Sequence, residues 1–336
     1  MREKIAMDCG GVQCARWDLK AFNSAARPLL FTLCPLLLVW SLSGCDTGIS
    51  ASVTSQVKHD FEISSIFKTP ELDEISGIQA GTGTDFFVHN DEGKALLHVV
   101  RLNGQHVAAI KIKDAKNRDW EDIARIQRDD GNLLVMGDIG DNKNHHKSIR
   151  LYFVAEPVAD QDDHYPGKIK LRHELKARFP DGPRDCEAMA YDPFSKQILF
   201  LSKRDRPPRL YALPIETALG QDKVELEFLA EVPTFRPPTP KDDLLGGKRG
   251  RWVSQPTGMD ISSDGKHLAV ITYRSLYLWS RKGEESWAEV FQKVPTEFIG
   301  PPGLHDEAVT FGHHEGEVYV TTEGVPTPLY RLQPDL

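Results

Sequence analysis

Five times along this 336-residue chain a stretch led by an acid or by Thr is followed by short apolar runs that alternate with polar residues, and the five copies can be laid over one another. They are "DEISGIQ" from Asp73 with "DFFVHNDEG" and "LHVVRLNG"; "WEDIARI" from Trp120 with "LLVMGDIGDN" and "IRLYFVAEP"; "DCEAMAYD" from Asp185 with "QILFLSKRD" and "RLYALP"; "PTGMDISSDGKHLAVITYRSLYLWSRKG" from Pro256; and "DEAVTFGHHEGEVYVTTEG" from Asp306 with "PLYRL". Taking Glu74, Glu121, Glu187, Thr257 and Glu307 as equivalent gives spacings of 47, 66, 70 and 50 residues. Units of this length, built from strands bounded by Gly, Pro, Asn and Asp, match the four-stranded blades of a β-propeller, the longer pair carrying loop insertions. The first four copies offer a fourth strand in "HVAAIKIK", "KIKLRHELKARF", "KVELEFLAEV" and "SWAEVFQKV". The fifth runs out after "PLYRL", while "QVKHDFEISSIF", residues 56–67, has a strand pattern and no copy of its own. It is expected to close the ring by pairing with the C-terminal strands, which leaves no open sheet edge there. The fold class is therefore all-β: a propeller of five blades, or six if the Pro/Gly-punctuated stretch 233–256 carries degenerate strands instead of forming a long loop.

The first 44 residues read as a leader. "PLLFTLCPLLLVWSL", residues 28–42, is an apolar run preceded by Arg27 and followed by small residues, the layout of a secretory signal and short for a membrane span. "LSGC", ending at Cys45, resembles the lipobox of bacterial lipoproteins. That resemblance implies cleavage before Cys45, a lipid on its sulfur and an exported protein anchored to a membrane, on the periplasmic side in a Gram-negative cell. Residues 45–56 then form the lipidated cysteine and a Ser/Thr-rich tether, and 57–336 the propeller domain. The leader holds five of the 41 Lys and Arg residues and three of the 49 Asp and Glu residues, so the remainder carries ten more acids than bases. Such a balance argues against nucleic acid as a partner. Of five cysteines only Cys186 remains in the domain, so no disulfide forms within it and stability rests on a core.

In a four-stranded blade the first strand starts at the same face to which the second returns, so these strand ends share one mouth of the central channel. The starts bring Glu74, Glu121, Asp122, Asp185, Glu187, Asp306 and Glu307; the returns bring Asn90, Asp91, Asp138, Asn142, Lys203, Arg204, Arg274 and Glu323. Glutamate at four of five matched positions predicts strong repulsion in a low-dielectric funnel unless positive charge sits among them. One source is a hard divalent cation. Oxygen-only donors favour calcium over zinc, with Glu74, Asn90, Asp91, Glu121, Asp138, Glu187 and Glu307 as candidate ligands. The other source is ion pairing to Arg118, Arg184, Arg204 or Arg274. Lys203, Arg204 and Arg274 on the far side of the mouth suit a phosphate or carboxylate ligand. Cys186 lies between two acids that raise a thiol pKa, which argues against a nucleophile.

The stretches "NRDWEDIA", "GDIGDN", "RDCEAMA" and "DEAVTF…TTEG" resemble those of exported bacterial proteins with phytase-like or SdiA-regulated-like β-propellers, a likeness that covers residues 61–332. It implies a calcium-dependent channel mouth; in phytase-like and gluconolactonase-like relatives that mouth hydrolyses phosphate esters or lactones. The sequence departs from its own repeat at Thr257, where an acid would complete the ring. Three readings follow: a mouth that binds an anionic small molecule through calcium, a calcium-dependent hydrolase with Glu121 or Glu187 as base, and a scaffold that docks an envelope protein on its outer loops. For the leader, Cys45→Ser is expected to release the protein from membranes or leave the leader uncleaved; fractionation and an intact-mass measurement check this, and unchanged processing with unchanged membrane association would refute the lipobox.

Overall fold

The alternating runs fold as short strands in antiparallel meanders, in a computed structural model that describes residues 57–58, 61–301 and 305–335. The leader, Cys45 and the tether lie outside the described residues. Two strands precede the first blade, β1 (Val57–Lys58) and β2 (Glu62–Phe67). Blade one is β3 (Ile75–Ala80), β4 (Asp85–Asn90), β5 (Leu96–Arg101) and β6 (His106–Lys113). Blade two is β7 (Trp120–Ile126), β8 (Leu133–Asp138), β9 (Ile149–Ala155) and β10 (Lys168–Arg178). Blade three is β11 (Cys186–Asp192), β12 (Gln197–Ser202), β13 (Arg209–Pro214) and, after helix α1 (Ile215–Gly220) and β14 (Lys223–Glu225), β15 (Glu227–Glu231). Helix α2 (Pro240–Gly246) and a 3-10 turn, Gly247–Trp252, lead into blade four: β16 (Pro256–Ile261), β17 (His267–Thr272), β18 (Ser275–Ser280), helix α3 (Trp287–Val290) and β19 (Thr296–Ile299). Blade five is β20 (Asp306–Phe311), β21 (Val318–Thr322) and β22 (Thr327–Leu332).

The fourth strand of blade five is β2, antiparallel to β22 with Phe67 opposite Thr327. The closure expected of the 56–67 stretch is thus made by its Glu62–Phe67 part, while Val57–Lys58 pairs in parallel with β19 of blade four. The inner strands β3, β7, β11, β16 and β20 neighbour one another in that order and β20 returns to β3, so five blades close the ring. Stretch 233–256 folds as α2 and the 3-10 turn rather than as strands, which removes a sixth blade. Two expected fourth strands need correction. "KVELEFLAEV" splits, β14 pairing with β10 of blade two and only β15 completing blade three. "SWAEVFQKV" begins as α3, because Ser286 and Glu289 form a capping box in which the serine hydroxyl accepts the Glu289 N–H and the Glu289 carboxylate accepts the Ser286 N–H; the strand that pairs with β18 is β19.

Packing explains why the copies must stack. Among the described residues five apolar clusters each take residues from two neighbouring blades, as where Phe153 of blade two meets Phe200 and Tyr211 of blade three, or Val270 and Trp279 of blade four meet Leu201 of blade three. A blade alone would leave both its faces in water.

All five inner strands carry a β-bulge at the same place, between Ile75 and Gly77, Trp120 and Asp122, Cys186 and Ala188, Pro256 and Gly258, and Asp306 and Ala308. The unpaired residue in each bulge is Ser76, Glu121, Glu187, Thr257 or Glu307. A bulge re-aims its side chain, and here it fixes the equivalence of the blades. Glu74, aligned above by its charge, stands two residues before the matched position, which Ser76 occupies. The matched ring therefore holds three glutamates and two hydroxyls.

Deeper along the axis, side chains satisfy backbone donors of the neighbouring inner strands. Asp122 Oδ2 accepts the N–H of Met189 (2.8 Å) and of Met259 (3.0 Å) while Oδ1 accepts that of Ile123 (2.9 Å), joining blades two, three and four. Asp260 accepts the N–H of Phe311 (2.8 Å), Thr310 Oγ1 that of Ala80 (3.1 Å) and Gln79 Oε1 that of Arg125 (3.0 Å). Asp122→Ala strips acceptors from three buried N–H groups and is expected to lower the unfolding free energy by about 3 kcal/mol or more, read from denaturant melts; a loss under about 0.5 kcal/mol would show that the axis does not depend on this carboxylate.

Candidate functional site

Four of the five bulged residues, Ser76, Glu121, Glu187 and Glu307, line a cavity of about 270 Å³ at one end of the channel, while the Thr257 hydroxyl donates to the Asp306 carbonyl (2.7 Å). Its wall carries seven carboxylates, Asp91, Glu92, Asp119, Glu121, Glu187, Glu307 and Glu323, against two basic groups, Lys203 and Arg204, with Ser76, Asn142, Trp252, Gln255 and Tyr273 between them. Of the candidate residues, the structure brings Asp91, Glu121, Glu187, Glu307, Lys203 and Arg204 together here.

The centre of the arrangement is Lys203, which follows β12 and is buried. Its ammonium donates to Glu187 and to the Tyr273 hydroxyl (2.7 Å). Burial works against this charge, but Glu187, Glu307 and Glu121 outweigh it and hold the ammonium protonated well above its usual range. The positive charge that the ring of glutamates demanded is thus supplied in part by a lysine of blade three. Ser76 donates from blade one to Glu121 Oε2 (2.9 Å). Arg204 donates through Nε to Asp185 (2.6 Å) and through its terminal nitrogen to Asn142.

One lysine and one arginine do not balance seven acids, and the carboxyl groups register the excess. Burial, then Glu187 and Asp119, push Glu121 well above the usual carboxylate range; burial does the same to Glu307. Glu187 rises to about 7, burial outweighing the pull of Lys203. Asp91 rises to about 7 through burial and the neighbouring Glu74. Burial keeps the Tyr273 phenol protonated far above its ordinary value. The donor set is all oxygen and suits a hard cation.

The other candidate residues point elsewhere. Asp138 turns Oδ1 to Arg118, at 2.9 Å from Nε, and does not line the cavity. Arg274 donates to Asp242 (2.7 Å) of α2 and to the Arg236 carbonyl (2.7 Å), away from the cavity wall. Asn90 donates to the Glu71 carbonyl (2.9 Å) and to Asp73 (3.2 Å). Glu74 is exposed, its backbone carbonyl accepting from Asp91 N–H (3.0 Å). Within "GDIGDN" each residue type has a local reason. Gly140 lies so close to Glu121 and Asp119 that a Cβ there would collide with both carboxylates. Asp141 accepts the N–H groups of His145 (2.9 Å) and His146 (2.6 Å), capping the turn, and Asn142 reaches Arg204. Among the described residues, three potential metal-ligating side chains come within 4.8 Å of one another only at Asp160, Asp162 and His164, on an exposed turn; the mouth carboxylates are spread more widely around Lys203.

Sequence reasoning missed Ser76, Asp119 and Tyr273. Ser76 is matched to Glu121 only by the shared bulge, which has no mark in the sequence; Asp119 precedes Glu121 in the "NRDWEDIA" stretch and could have been found there; Tyr273 sits in the β17–β18 turn with no marking in sequence.

No family model matches the chain, and no curated protein does. Among solved structures the chain is similar to one titled as a nidogen/laminin complex, with a TM-score of 0.39 at 11% identity over 74% of this chain and 72% of that one. It is also similar to the PQQ-bound aldose sugar dehydrogenase of Streptomyces coelicolor, with a TM-score of 0.46 at 12% identity over 83% of this chain and 99% of that one.

Asp91 titrates near 7 in the fold against an ordinary 3.8, so the folded protein holds its extra proton between those values and loses stability as pH rises through that window. In chelator, the stability of the protein is expected to fall from about pH 4 to about pH 7, and Asp91→Asn to remove up to about one proton from that slope. Denaturant midpoints across pH measure it, and identical slopes in the two proteins would refute the raised carboxyl.

Proposed function

We propose that the mouth cavity is a cation-dependent binding site. In this reading a divalent cation of the calcium kind is held by carboxylates among Asp91, Glu121, Glu187 and Glu307, and an anionic small molecule bearing phosphate or carboxylate approaches the ion and Arg204. The observation that carries it is the acid excess in one cavity, where Glu121 and Glu307 are buried and pushed toward the neutral form even with Lys203 beside them. A second positive charge relieves that cost, and oxygen donors from four blades suit an ion that tolerates irregular coordination. Resemblance to phytase-like propellers and to the lipobox adds the setting, an exported protein held at a membrane by Cys45.

A hydrolytic reading has one observation of its own. Glu187, raised to about 7 and hydrogen-bonded to Lys203, which also meets Tyr273, is a carboxyl group that exchanges a proton near neutral pH. Turnover of phosphate monoesters or lactones, at a rate that follows the ionisation of one group near pH 7, distinguishes it from capture alone.

Millimolar calcium is expected to raise the melting temperature and chelator to reverse the rise; at a hundredfold excess over Kd the stabilisation is about 2.7 kcal/mol. Glu121→Gln is expected to lose most of that response and, in chelator, to melt no lower than the unsubstituted protein, because neutralising the carboxylate relieves its burial. A protein indifferent to calcium removes the cation and, with it, this reading of the site.

A further inference from the structure

Beside the mouth lies a second cavity, of about 240 Å³, between the loop after β12 and the connection from β15 to β16. Most of its wall is carbon, from Pro207, Pro208, Val232, Pro233, Phe235 and Pro238, and Asp205, Arg206 and Arg251 also line it. The walls are held before any ligand arrives. Val232 N–H donates to the Pro208 carbonyl (2.8 Å), which ties the two loops together, and Phe235 packs edge-on against Tyr277 and Trp279, with ring centroids at 5.0 and 5.7 Å. Proline adds fixed φ and offers no N–H to a guest. Lys203 and Gln255 line this recess and the acidic mouth alike, so the two are neighbouring chambers of one site. Gln255 is 8% exposed and its Oε1 is buried with no hydrogen-bond partner, so turning the amide toward a guest gives up no bond at that oxygen.

We infer that the recess seats the apolar part of the ligand whose charged head enters the mouth. The ligand class is then an amphipathic oxyanion, a phosphate or carboxylate attached to a ring or a short aliphatic group. This inference rests on the proposed binding function and narrows it. Size sets the limit: a cavity of about 150 Å³ accommodates benzene, so 240 Å³ takes a ring with a few further carbons. Rigid apolar walls make the contact favourable without a cost of ordering loops. Gln255 gives the junction a hydrogen-bond acceptor for a hydroxyl or amide N–H next to the head.

The test uses two probes with the same head, methyl phosphate and phenyl phosphate, titrated calorimetrically into the calcium-loaded full chain. Phenyl phosphate is expected to bind at least about tenfold more tightly. Pro238→Trp, which fills the recess, is expected to bring the two affinities within about twofold of each other. Equal affinities in the unsubstituted protein overturn the recess while leaving the head site standing. A phenyl preference that survives both Pro238→Trp and Phe235→Ala also overturns it, because the ring must then sit elsewhere. Binding of neither probe removes the recess and the anion-binding part of the proposed function together, and the calcium-dependent melting shift reports separately on the cation.

Discussion

Each inner strand is an edge strand, β3 and β7 being the two edges of one sheet joined through β6 and β10, and its axis-facing N–H groups have no further strand to pair with. Everything along the channel follows from that shortage of acceptors. Asp122 serves three donors on three blades, and Asp260, Thr310 and Gln79 link blades four, five, one and two. These contacts hold the inner strands at fixed distances, and the five bulges sit one step above them, so the mouth inherits its geometry from the way the axis is sealed. Acids are thus used twice in one channel. Low on the axis they are saturated by backbone donors; at the mouth they face one another.

Lys203 shows how the fold manages part of that confrontation. A buried ammonium needs carboxylates as much as they need it, and with Glu187 and Tyr273 as partners it is locked in place rather than free to capture an anion. The lysine sets a floor of one positive charge. The remaining excess of acid leaves Glu121 and Glu307 well above the usual carboxylate range.

The repeat and its closure were legible because alternation and strand-start acids recur with each blade, and because residues 56–67 had a strand pattern with no copy to join. Glu74 was misplaced since charge was matched where register decides, and a bulge leaves no letter in the sequence. Ser76, polar but neutral, did not resemble Glu121 until backbone pairing aligned them. Asp138 and Arg274 were drawn into the mouth by position in their strands; their partners, Arg118 and Asp242, lie in a preceding loop and in the helix of an insertion, and no periodicity reports such contacts. The capping box at Ser286 and Glu289 was readable, and the helix it starts was overlooked because the blade count called for a strand there.

Closure by β2 has a consequence for the order of events. Blade five is assembled from both ends of the domain: β2 pairs with β22, and Thr327 Oγ1 donates to the Leu72 carbonyl 255 residues away. As the chain is made from its N-terminus, four blades can be complete while β2 still waits for a partner and blade one has no neighbour on that flank. The ring then exists only as an open arc in which blade one and blade four each show water the apolar face that blade five will cover. Pairing of β22 with β2 turns that arc into a ring, so β20, β21 and β22 act as the latch of the propeller.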